Sequence, residues 1–175
     1  MKPRVLTTAI PLLMLVYGVA RLLDGRDGVY GPGLAWNMGH LAFLAAFMGL
    51  GALTVHFWRS NPRAKGGVLA AYVAALVGVA LFVWVIVIDL VPSLDERASL
   101  PDPIMAVGPL IFISGFVASL TLHARRVGIR WWAAPPLLAL AAMVAVGADL
   151  DLLPVTALLL AAALVPVGLR DAQPV

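Results

Sequence analysis

Six apolar runs, each closed by charged or turn-forming residues, leave this chain almost no way to fold in water. They cover about residues 5–23, 34–58, 67–91, 103–123, 131–148 and 152–169. A helix needs roughly 20 mostly apolar residues to cross about 30 Å of hydrocarbon. Four runs meet that length, and the last two are short. Runs and connecting loops together use the 175 residues, so no stretch remains for a separate soluble domain. The expected fold is all-α, a single six-span transmembrane helix bundle. Composition agrees: 62% of residues are hydrophobic and the mean hydropathy is +1.00. Only 12% are charged, against about 25% in soluble domains.

Placing the N-terminus in the cytoplasm collects Lys2, Arg4, Arg59, Arg63, Lys65, Arg125, Arg126, Arg130 and Arg170 on the inner side. Arg21, Arg26 and Arg97 fall outside. That distribution follows the positive-inside rule, and the reverse orientation breaks it. Trp36, Trp58, Trp131 and Trp132 stand at span ends, where aromatic belts form. The expected address is therefore a bacterial cytoplasmic membrane, crossed several times with both termini inside. The organism class rests on the Ala, Leu, Val, Gly and Arg bias, which resembles GC-rich bacterial coding. A cleaved signal peptide ending at Gly18-Val19-Ala20 is the rival reading of the first run.

The basic pI does not point to nucleic acid, because the bases sit at helix ends beside headgroups. The chain has no cysteine, which excludes disulfides and thiolate metal sites. Glycines 25, 28, 31 and 33 lie in a turn-rich loop with no preceding strand and no following Gly-Lys-Ser/Thr, so they form no phosphate loop. The span hydroxyls show no nucleophile motif. Pro11 and Pro109 are the expected functional kinks, whereas most other prolines start or end helices.

Ionisable groups within a bilayer are costly and mark candidate sites. His40 lies about two turns into the second run and Asp89 about one turn below the exit of the third. Arg21 and Asp24 close the first run, Asp149 and Asp151 close the fifth, and Asn37 is one turn before His40. Alternating directions bring these residues to a similar depth on the outer side. Asp89 and His40 are the candidate catalytic pair, with a protonatable carboxyl and an imidazole that titrates near neutrality. Arg21, Asp24, Asn37 and Asp149 are the candidate ligand-binding residues. The structural alternative pairs Arg21 with Asp89 or Asp24 and ties His40 to a backbone carbonyl or to Asn37. His56 and His123 share a depth at the inner ends, where half-solvated histidines need no special role. No metal site or cofactor is expected, haem included.

Small residues recur at four-residue spacing in Ala70, Ala74 and Gly78, in Ser114 and Ala118, and in Gly115 and Ser119. Such stripes let helix backbones approach closely in lipid. They are expected to serve bundling within the chain, with a homo-oligomer or a partner membrane protein as the alternative.

The chain resembles small multi-pass membrane proteins of GC-rich bacteria in three stretches. These are Trp36-Asn37-Met38-Gly39-His40 opening the second run, Ile88-Asp89-Leu90 closing the third and Arg130-Trp131-Trp132 opening the fifth. The resemblance implies no activity. Membrane-integral terpene cyclases are similar in being small bundles with acidic residues at an enclosed site, but no span here carries a glutamate. Three functions remain open. The first is an accessory or subunit protein with an outward polar cluster. The second is an intramembrane enzyme acting on a lipid or isoprenoid by acid–base chemistry. The third is a small proton-coupled carrier, which needs a polar route through spans that are almost wholly apolar.

Overall fold

The computed structural model describes residues 3–27 and 30–172. Lys2 and Gly28, named above, lie outside the described residues. The described chain forms α1 (Pro3–Asp24), α2 (Leu34–Arg59), α3 (Gly67–Leu90), α4 (Pro92–Ala98), α5 (Asp102–Arg126), α6 (Ala134–Ala148) and α7 (Leu153–Asp171). Short 3-10 turns follow α1 and precede α7. Five stretches are long and apolar enough to cross a membrane: α1, α2, α3, α5, and α7 with its leading turn. Their outward surfaces keep large apolar side chains such as Leu12, Met48, Leu110 and Leu158 more than half exposed, as lipid-facing helices require.

The fifth run differs from its expected 131–148 span. Residues 131–133 form turns, and the helix begins at Ala134 because Pro135 and Pro136 suit a first turn, where a missing N–H costs nothing. Its 15 residues rise about 22 Å, short of the hydrocarbon thickness. The acidic segment expected as a loop after Pro92 is instead the seven-residue α4. Trp84 Nε1 donates to the Ala98 carbonyl at 3.0 Å and ties α4 back onto α3.

The six longer helices form a closed ring in the order α1, α2, α3, α5, α6, α7 and back to α1. A Cβ added at Gly168 would meet Thr7, and one at Gly18 would meet Leu153 and Pro154. The start of α1 and the finish of α7 therefore lie together, at what we name the terminal end. The opposite end carries the α1–α2, α3–α4–α5 and α6–α7 connections. Gly128, at φ 71°, terminates the turn after α5 in the left-handed conformation that glycine adopts freely.

The small-residue stripes serve the α3–α5 seam. A Cβ at Gly115 would strike the Ala74 and Ala75 backbone, and one at Gly78 would strike Phe112. Gly78, Gly115 and Ser119 are buried there, while Ala70 and Ser114 are exposed. Across the ring, Thr156 Oγ1 donates to the Ala142 carbonyl at 3.1 Å and fixes α7 against α6. In lipid such close approach and interhelical hydrogen bonding hold helices together.

Candidate functional site

At the opposite end the ring is hollow. A cavity of about 390 Å³ is lined by residues from all six ring helices, including Met14, Phe47, Phe82, Phe112, Met143 and Leu160. Its size falls in the lower part of the range of about 300–1,000 Å³ for ligand pockets. The wall is aliphatic and aromatic, with the Tyr17 and Thr156 hydroxyl groups and one carboxylate, Asp89, among the described lining residues. Four phenylalanines keep the helices apart: Phe47 stacks on Phe82 at 4.5 Å and contacts Phe43 at 4.9 Å and Phe112 at 5.3 Å. Pro109, one of the two expected kinks, also lines the wall. A smaller apolar pocket of about 80 Å³ on the α3–α5 seam shares Phe82, Val85 and Pro109 with it.

The candidate pair meets at the rim. His40 Nε2 lies 3.7 Å from Asp89 Oδ2, with the imidazole 5% exposed and the carboxylate 43%. His40 Nδ1 is 2.9 Å from the Trp36 carbonyl four residues earlier in α2. A carbonyl only accepts, so Nδ1 carries the proton of that bond and Nε2 faces Asp89. Tyr17 holds the imidazole edge-on at 5.3 Å and Trp36 covers it at 4.0 Å. This packing fixes the orientation of the imidazole ring. His40 is thus tied to a backbone carbonyl and also faces Asp89, so the two readings of it coexist.

Of the four candidate binding residues, Arg21 and Asp24 lie beside this pair. They line, with Tyr17, Ala35, Trp36 and His40, a cleft of about 10 Å³, close to the space that one water occupies. The structural alternative gave Arg21 to Asp89 or Asp24; the ion pair it makes in the structure is with Asp151. Its Nε donates to Asp151 Oδ1 at 3.1 Å, and its guanidinium lies 4.3 Å from the Tyr30 ring centre. The rotation of α1 turns Arg21 toward the α6–α7 turn, where Asp151 stands. Asp24 Oδ2 accepts from the Gly31 N–H at 3.2 Å and pins the α1–α2 loop. Asn37 is exposed and does not line the cavity. Asp149 is also exposed and caps the turn before α7, its Oδ1 accepting from the Asp151 N–H at 2.8 Å. Both stand apart from the His40–Asp89 pair.

Sequence reasoning passed over Asp171, the last residue of α7. It reaches His56 Nε2 at 2.6 Å and His123 Nε2 at 3.3 Å at the terminal end. One signal was available. Of the nine acidic residues, Asp171 alone falls on the basic side of the bundle. Its carboxylate fills the space between the two imidazoles, where a macrocycle with two axial histidines would have to pass.

Comparison with family models, curated proteins and solved structures finds no match to this chain. The functional reading therefore rests on the geometry of the site.

Proposed function

We propose that this chain crosses a bacterial cytoplasmic membrane six times with both termini inside. In this reading it binds a lipid or isoprenoid chain in its hollow and carries out acid–base chemistry on it at the His40–Asp89 pair. The observation that supports the reading is the six-helix apolar cavity with a single carboxylate at its rim, beside a fixed imidazole. An apolar wall with few convergent polar groups is the usual form of a small-molecule site. A cavity of this volume suits one chain or a compact terpenoid, not a two-chain phospholipid. The bound molecule lies with its reactive end at the rim, where Asp89 donates a proton and His40 Nε2 accepts one. The polar end meets the opposite face of the membrane, which the charge distribution assigns to the outside. Arg21 is engaged with Asp151, so it braces the site and does not grip a headgroup.

The accessory-subunit reading drew on small-residue faces, and the Gly78–Gly115 part of these is used inside the chain. The carrier reading needs a polar path, and the cavity wall is apolar. Native mass spectrometry of protein purified in mild detergent tests the proposal with wild type, Val146→Phe and Asp89→Asn. Val146 lines the cavity, so the added ring intrudes into it. A discrete lipid mass is expected on wild type and on Asp89→Asn, and is lost from Val146→Phe. Apo spectra for wild type, after extraction from lipid-replete membranes, count against binding. Full complementation of a deletion strain by both Asp89→Asn and His40→Gln counts against the chemistry.

A further inference from the structure

The terminal end holds a second cluster that the proposed lipid chemistry does not use. His56 on α2, His123 on α5 and Asp171 on α7 present three ligand atoms within 4.8 Å of one another. We propose that these three residues form a binding site for a divalent transition-metal ion of the zinc class, which clamps α2, α5 and α7 together.

The donors are near coordination distances: the His56–Asp171 contact has to open, and the set, now within 4.8 Å, has to draw in. Zinc binds imidazole nitrogen and carboxylate oxygen at about 2.0–2.2 Å, so tetrahedral donors stand about 3.3 Å apart. Asp171 Oδ1 is already 3.3 Å from His123 Nε2, and Asp171 Oδ2 is 2.6 Å from His56 Nε2. The donors come from three different helices, leaving a fourth position for water or another ligand. His56, with its side chain 31% exposed, provides the way in from the surface.

A second observation points to a ligand at the same place. His123 is 1% exposed, yet neither ring nitrogen makes a hydrogen bond to any of the described residues. A buried polar atom without a partner is destabilising. The 3.3 Å approach to Asp171 has the distance of an ion pair but not the direction of a hydrogen bond. An ion bound at Nε2 satisfies the nitrogen that faces Asp171. One turn earlier on the same side of α5, buried Ser119 Oγ is also without a partner. Phe57 stacks on the His123 ring at 4.1 Å and holds its plane.

The donor set also selects the metal. One carboxylate with two imidazoles suits zinc, copper, nickel or iron, whereas magnesium and calcium demand mostly oxygen. Arg59, Arg125, Arg126 and Arg170 stand at or near the same helix ends. They oppose a site held by charge alone and leave imidazole coordination as the source of affinity.

The test uses the full chain in detergent, with any affinity tag cleaved, stripped with chelator and titrated with zinc chloride. Wild type is compared with His56→Gln and Asp171→Asn, which change residues that are not fully buried. The expected result is one zinc retained per wild-type chain after desalting, with a raised thermal midpoint. Each variant should bind zinc at least about tenfold more weakly and lose the zinc-dependent shift. Zinc retention by wild type no greater than by the variants overturns the proposal. So does a wild-type midpoint indifferent to zinc, with the variants less stable in chelator alone, because the cluster is then only an ion-paired contact. The outcome is independent of the cavity, whose lining includes none of these residues.

Discussion

The two ends of this bundle are built from similar residues and differ in how their centres are filled. At the terminal end, glycine and alanine let α3 and α5 come together until no added methyl group fits at Gly115. There Phe57 and His123 stack across α2 and α5 and close the centre. At the opposite end Phe43, Phe47, Phe82 and Phe112 stand between helices and leave a void beyond them. The contrast shows how a membrane bundle can hold a hollow. Association in lipid depends on packing, so one tightly packed half stabilises a second half that is not filled.

The contrast is breakable by substitution. The largest effect is expected from Gly115→Leu, which forces a side chain into the α3 backbone. Loss of the folded protein is expected, read as failure to elute as a single species from mild detergent; normal folding would show that the seam is not tight. Phe57→Ala comes next. Emptying a buried aromatic site costs about 3–5 kcal/mol, measurable by reversible unfolding in mixed micelles. Phe82→Ala, at the edge of an existing cavity, should cost at least about 1 kcal/mol less, because fewer of its contacts are with packed neighbours. Equal losses for the two phenylalanines would mean that the halves do not differ in packing. Arg21→Ala is the smallest. Its partly exposed pair with Asp151 is expected to contribute about 0–1 kcal/mol, screened by salt.

Much of the fold was legible because charges, prolines and tryptophans mark helix ends in lipid. The expected boundaries of α2 and α3 differ from the structure by a residue. Depth was legible too: His40 and Asp89 were placed at one level by counting turns, and they lie 3.7 Å apart. Rotation about each helix axis was not. Arg21 was given Asp89 or Asp24 as partner and pairs with Asp151, because nothing local to α1 records which neighbour its face meets. Asn37 and Asp149 share the depth of the site but point elsewhere for the same reason. Asp171 was missed because the expected span stopped at residue 169, whereas α7 continues to Asp171 and brings the carboxylate under the two histidines. The shortening of α6 was visible in Pro135 and Pro136 and was read only as a weak span.

That short helix has a consequence for the membrane itself. The ring presents about 36 Å of helix along α3 and only about 22 Å along α6. A bilayer adapts to such mismatch by thinning against the shorter element. A bilayer around such a ring is expected to thin on one flank, where Val146, Gly147 and Leu150 border the cavity. Thinning there shortens the distance between the headgroup layer and the cavity mouth. On the proposed reading, a lipid approaching along that flank would have its polar end lowered toward Asp89 by the solvent the protein sits in.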